Sequence, residues 1–415
     1  YESGYLTQSV GPGFRFSKER NTFIANVYYQ RSALDGQIVR DDAEKIKHAY
    51  NNMTYFMMGQ LNINRENSLR LFINSSTSNP DVTSLQGVYD LSDAQNISHG
   101  NPTLNPSYSH RINFHYINSN VEKGRTFMWM FSLQSTSDYI GTHTVQNPSF
   151  TVDGETYTPN FYSTPVNLDG YLSLRTHLSY GFPIGFLRSN FNVMAGVSYT
   201  NTPSMYGMDD GGIDPETGAI SGGERNDTEN MGYDFRAVLG SNISENVDFT
   251  LSWNGTYNEA TNSLSTTNSK NRYFNHTASG DLKIVFPLGF TLTASAAYTQ
   301  YLGFTNDYND DYLLCNAYIG KKLFKNQRGE IMFGVNDIFN QNKSFVRTTG
   351  SGWTQNATNS VIGRYFMVQF SFNLRRFGKK GSTNIKDYDG VEPAPRRRGM
   401  MGPGPGGPPP GFGPR

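Results

Sequence analysis

The chain has 415 residues, with 35 Lys+Arg against 35 Asp+Glu and a formal charge of +0, so nothing in its charge balance favours a polyanion and nucleic acid is excluded as a partner. Hydrophobic residues make up 36%, charged residues 17% and the mean hydropathy is −0.55, too polar for a helical membrane protein. No run of about 18 uncharged apolar residues occurs, which excludes a transmembrane helix but not a barrel, where only every second strand residue must be apolar.

Alternation of apolar with polar residues predicts about fifteen strands. They span 5–17, 22–34, 51–64, 68–77, 107–118, 125–138, 167–182, 189–205, 230–243, 247–262, 271–286, 290–304, 311–323, 329–338 and 361–374. The pattern is clearest late in the chain. Phe249, Leu251 and Trp253 share one face, opposite Thr250, Ser252 and Asn254. Phe290, Leu292 and Tyr298 repeat this, as do Phe366, Val368, Phe370 and Phe372. These ten residues are the expected membrane-facing set, in contact with outer-membrane lipid. The high counts of Tyr (26) and Phe (28) suit the aromatic girdles of such a wall.

The connections alternate too. Short turns at 17–21, 64–68, 118–124, 182–188, 241–246 and 286–289 interleave with outer segments that are long at 35–50, 78–106, 139–165, 207–228 and 340–359 and shrink at 263–270 and 305–310. Outer-membrane barrels have short periplasmic turns and longer extracellular loops. That parity predicts extracellular loops and a last strand ending in the periplasm near Leu374. An odd strand count predicts missing strands upstream, because bacterial single-chain barrels have even numbers. The chain opens at Tyr1 with no export signal ahead of its first strand, and is read as a processed piece. The predicted domains are a barrel portion at 1–377 and a disordered Gly/Pro/Arg-rich periplasmic tail at 378–415; Arg375, Arg376, Lys379 and Lys380 lead into its Pro393–Arg415 stretch.

Three stretches carry a resemblance. GNPTLNPSYSHRINFHY (Gly100–Tyr116), FGVNDIFNQN (Phe333–Asn342) and the ending GRYFMVQFSFNLRRFG resemble, in that order, segments of TonB-dependent outer-membrane receptors, of the outer membrane β-barrel type common in Bacteroidetes. One departure is Ser107, where the first stretch ordinarily has Glu. The resemblance implies the fold class: an all-β, transmembrane, antiparallel up-and-down barrel of about 22 strands, of which this chain supplies the C-terminal part. It also implies the outer membrane of a Gram-negative bacterium, a plug upstream, the TonB complex acting through that plug, a nutrient ligand and, by analogy only, a surface lipoprotein.

No catalytic set, cofactor motif or metal-ligand spacing is present, so the chain is expected to be no enzyme. The seven histidines are scattered, and Ser179 beside His177 lacks a third group. Cys315 is a lone small residue among Leu313, Ala317 and Ile319. Two acidic loops, with Asp209, Asp210, Asp214 and Glu216 in one and Asp307, Asp310 and Asp311 in the other, are expected to be solvated rather than calcium-bound. The candidates for plug or substrate contact are charged or polar residues on the opposite strand face, turned into the lumen: Arg111, Asn113 and His115; Arg175 and His177; Asp234 and Arg236; Asp281 and Lys283. The leading reading is the wall of a gated importer whose extracellular loops capture a ligand. Two others stay open: a non-energised porin or adhesin barrel, and a soluble extracellular β-rich carbohydrate binder, which predicts no outward apolar bands.

Overall fold

A computed structural model describes residues 2–37, 45–208, 212–241, 244, 246–264, 271–303, 310–324, 328–350 and 353–372. Leu374, Arg375, Arg376, Lys379, Lys380, the boundary at 377, the tail, Asp209, Asp210 and Asp307 lie outside them. Compact contacts group Tyr1–Ser371 as one unit.

The chain opens with β1 (Glu2–Val10) and β2 (Gly13–Lys18), which together line the length of β3 (Asn21–Gln37). Gly11 and Pro12 interrupt them, and the Pro12 carbonyl still accepts from Val27 N–H at 3.1 Å. Next come β4 (Lys45–Asn62) and β5 (Asn67–Ser78), then a one-turn helix α1 (Val82–Leu85) and the short strands β6 (Tyr89–Asp90) and β7 (Asn96–His99). β8 (Ser107–Asn120) and β9 (Arg125–Ser137) follow. An excursion then contains β10 (Tyr139–Gln146), β11 (Phe150–Val152), β12 (Glu155–Tyr157) and β13 (Phe161–Leu168). Eight long strands succeed it: β14 (Tyr171–Ile184), β15 (Ser189–Met208), β16 (Glu224–Ser241), β17 (Val247–Asn262), β18 (Asn271–Val285), β19 (Phe290–Leu302), β20 (Asp310–Leu323) and β21 (Gly329–Asn336). A separate hairpin, β22 (Ser344–Gly350) with β23 (Trp353–Asn359), precedes β24 (Tyr365–Phe372).

Counting β1 and β2 as one, the wall runs β3, β4, β5, β8, β9, β14 to β21 and β24, each predicted strand having its counterpart. Neighbouring wall strands from β3 to β21 pair antiparallel throughout, from Thr22↔Gln60 to Leu323↔Gly329. This is the meander of an up-and-down barrel wall; the sheet is open among the described residues. Asn and Ser side chains build the short turns. Asn64 Oδ1 accepts from Glu66 and Asn67 N–H at 2.9 and 2.8 Å, and Asn120 Oδ1 accepts from Lys123 N–H at 2.8 Å. Short polar side chains that bond nearby backbone reverse a chain in few residues.

Register carries the alternation across strands. Leu239, Leu251 and Gly280 are directly opposed, as are Ile284, Leu292 and Ile319. The face they share is not covered by protein: Leu251 is 51% exposed, Ile319 66% and Phe370 59%. Most of the fully buried apolar side chains, Leu34, Leu85, Ile97, Leu104, Val145, Phe150 and Tyr162 among them, gather instead at the long-loop end.

One boundary moves. The predicted strand at 167–182 begins at Tyr171, and its first residues belong to β13, which pairs with β10 along their full lengths, Tyr139↔Leu168 to Gln146↔Phe161. The expected loop at 139–165 is therefore a long ribbon. Its buried face, Gly141, His143 and Val145, carries a glycine and a histidine where a strand signal needs apolar residues.

Candidate functional site

Two parts of the molecule carry chemistry: the polar face of the wall, and a canopy folded from three of the long connections.

On the wall, one row of directly opposed residues runs Arg70, His115, Met130, His177, Gly196, Asp234 across β5, β8, β9, β14, β15 and β16. His177 and Asp234 are two strands apart, yet His177 Nδ1 lies 3.5 Å from Asp234 Oδ2. Gly196 makes this reach possible. A Cβ there would sit 2.4 Å from His177 Nδ1 and 2.5 Å from both Asp234 oxygens. The two side chains thus approach each other over a bare strand. Asp234 supplies the acid beside His177 that sequence could not assign, but among the described residues no hydrogen bond joins His177 to Ser179.

The other predicted positions lie on the same face and stay apart. Arg111 donates its Nε–H to Gln134 Oε1 at 2.9 Å, and Asn113 Oδ1 accepts from Ser132 Oγ at 2.9 Å. Arg175 stands opposite Ser132 and Ser198, and Arg236 opposite Met194 and Asn254. Asp281 faces Thr250 and Ser295; Lys283 faces Asp248 and Thr293. Two members went unnoticed in the sequence. Arg70 shares the alternation of Ser68 and Asn74 and was legible there; the role of Gly196 needed the register.

The canopy begins with residues 79–106. The Asp81 carboxylate caps α1 by accepting from Ser84 N–H at 2.6 Å. Leu85 packs with Leu34 and Leu104, and Tyr5 and Ile140 close over them. In the GNP stretch, Asn101 Nδ2 donates to Pro165 O at 3.0 Å, and Asn105 N–H donates to Asn167 Oδ1 at 2.8 Å. This stretch therefore fastens the first connection to β13. β7 joins β13 in parallel, and β10 joins the outer end of β15 in parallel, His143↔Met205 to Gln146↔Met208. The third connection contributes Ile213 and Ile220 to a cluster of Ile97, Phe150 and Tyr162. The buried Tyr162 hydroxyl donates to Gly218 O at 2.6 Å. Gly218 has φ +64 and lies against His99, leaving no room for a side chain.

Several canopy groups are electrostatically perturbed, His143 and Asp214 among them. Burial pushes the His143 imidazole below its ordinary range, and its Nε2 has no hydrogen-bond partner. Hydrogen bonds from Thr217 and from Glu216 N–H hold the Asp214 carboxyl below the usual carboxylate range. Asp214 thus organises its own loop. Among the described residues no group of three metal-ligating side chains gathers.

The second of the resembling stretches, Phe333–Asn342, is also structural. Asp337, 2% exposed, accepts from Gln341 N–H at 2.9 Å and Asn342 N–H at 3.0 Å, while its own N–H donates to Asn316 Oδ1 at 2.9 Å. Asn340 Oδ1 then accepts from Arg364 N–H at 2.8 Å, and Asn342 Nδ2 donates to Ile362 O at 3.0 Å. The turn organised by the Asp337 carboxylate thereby joins β20, through the Asp337 N–H, and the approach to β24, through Asn340 and Asn342.

Residues 29–211 and 213–373 match the outer membrane protein beta-barrel family. No curated protein and no solved structure matches the chain.

Proposed function

The chain belongs to the outer membrane protein beta-barrel family, and from that membership we propose that it forms the transport wall of a TonB-dependent receptor, a gated importer whose canopy receives a nutrient. The observation that carries the reading is the contrast between the wall's two faces. Uncovered Leu251, Ile319 and Phe370 side chains stand on one, and Arg175, Asp234 and Arg236 on the other. A sheet so divided satisfies hydrocarbon outside and water inside, with every interior strand's backbone paired. A soluble carbohydrate binder would hide the first face.

On this reading the short turns are periplasmic, and the canopy lies at the cell surface. The receptor assignment rests on the resemblance of the stretches at Gly100–Tyr116 and Phe333–Asn342. Plug and TonB complex are the partners it entails, with a surface lipoprotein by family analogy alone.

Membrane contact is tested by brominated lipids, which quench a tryptophan touching acyl chains. Trp129 and Trp253 lie on the apolar face, and their emission should fall in brominated bilayers. Unchanged emission in Trp353→Phe protein would remove the barrel reading. Energised import is tested by growth. A strain lacking the gene should lose growth on one scarce nutrient, and a strain lacking TonB should lose the same growth. Growth lost only without the gene would favour the porin.

A further inference from the structure

Over β5, β8, β9 and β14 to β16 the polar face of the wall holds four arginines, Arg70, Arg111, Arg175 and Arg236, against two carboxylates. Polar-face positions of β5, β8, β9, β14 and β15 hold no carboxylate, and those of β16 hold Asp234 and, at its loop end, Glu224. Asp234 lies 3.5 Å from His177 Nδ1 and forms no ion pair with any of the four arginines among the described residues. Arg70, Arg111, Arg175 and Arg236 form no ion pair among the described residues. Arg70 Nε is shut off from water and has no hydrogen-bond partner, while Arg111, Arg175 and Arg236 are exposed.

Their placement is stepped. Arg70 lies in the row of His115, His177 and Asp234. Arg175 lies two residues from that row toward the loop end and Arg111 four, while Arg236 lies two residues toward the short turns. A strand advances about 7 Å in two residues, so the four span roughly 20 Å with no step skipped. Guanidinium forks at such intervals match the oxygens of phosphate, sulfate or carboxylate groups.

We propose that this wall is a ladder for anionic solutes, with Arg111, Arg175, Arg70 and Arg236 engaging their charged groups in turn along the bore. The proposal rests on the reading that the polar face lines an aqueous lumen.

The test uses the full-length protein in lipid vesicles, with Cys315→Ala and Ser132→Cys. Ser132 stands directly opposite Asn113 and Arg175. Its thiol is labelled with a sulfonatoethyl or a trimethylammonioethyl methanethiosulfonate, each rate divided by that for free cysteine. Two guanidinium charges within roughly 10 Å in water should favour the anionic reagent by about tenfold. Adding Arg111→Gln and Arg175→Gln should bring the ratio near one. Millimolar pyrophosphate should slow an uncharged methyl reagent more than KCl of equal ionic strength does. A ratio near one in the parent, a ratio unmoved by the two Gln substitutions, or equal effects of pyrophosphate and KCl would each overturn the ladder alone. If no reagent reaches Ser132→Cys while Ser221→Cys in the canopy is labelled, the lumen is not open water there, and the underlying reading fails with it.

Discussion

Asp337 offers the sharpest test of how the wall's last strands are held. Its carboxylate is buried and receives two backbone N–H groups, from Gln341 and Asn342. Its backbone is left-handed, at φ +51. Asp337→Ala strands both donors away from water, at about 1–3 kcal/mol each. It also places a Cβ-bearing residue without a local hydrogen bond in the left-handed region, adding about 1–2 kcal/mol. The sum is about 3–8 kcal/mol. Asp337→Asn keeps one acceptor oxygen and tolerates the backbone, so its loss should be about half as large. Urea titration of the full-length protein in lipid, followed by heat-modifiable gel migration, measures both. Hydrogen exchange should locate the loosening at residues 313–316 and 360–364, which the motif ties together. An Asp337→Ala protein within about 0.5 kcal/mol of the parent would show that these bonds are not what holds the segment.

In the canopy, Tyr162→Phe keeps the ring and deletes the hydroxyl bonded to Gly218; exchange at 96–99, 161–168 and 212–220 should quicken by the equivalent of about 1–2 kcal/mol, with the wall unaffected. His143 is a base depressed by burial. The unfolded ribbon therefore binds more protons as pH falls through about 6.5, and canopy stability should drop below that pH and level off beneath the folded value. Exchange of 139–146 at pH 7.5 and 5.0 reads this, and His143→Gln should flatten the difference. His177 and Asp234 are partly exposed; a double-mutant cycle with His177→Gln and Asp234→Asn should give coupling below about 1 kcal/mol, and a value above about 2 would mean a drier wall than the structure describes.

The wall was readable because a period of two is a property of each strand by itself. Phe290, Leu292 and Tyr298 announce a face without reference to any neighbour. What stood hidden depends on two strands at once. Nothing in the sequence says that His177, Gly196 and Asp234 fall in one row, and Gly196 matters only because they do. The ribbon of β10 and β13 escaped for a different reason. Its inner positions are Gly141, His143, Val145, Tyr162 and Thr164, only one of them aliphatic, so its order comes from pairing and from the canopy cluster rather than from an oily stripe. The FGVNDIFNQN stretch was noticed as a likeness, but a buried Asp337 working as a backbone clamp is visible only in three dimensions.

Register and solvent determine one another in this wall. A slip of one residue between β17 and β18 would exchange faces for the whole second strand. Asp281 and Lys283 would leave Thr250 and Asp248 and join Leu251 and Phe249. In hydrocarbon a mid-depth Lys costs about 2–4 kcal/mol and an Asp somewhat less, before counting the leucines sent into water. The same penalty acts at β14 through Arg175, at β8 through Arg111 and at β16 through Arg236. The lipid thus selects the alignment that sets four arginines in steps along one face. Any change that relaxes this selection, such as a polar Phe249 or Leu251, should blur the ladder even though it touches none of its members.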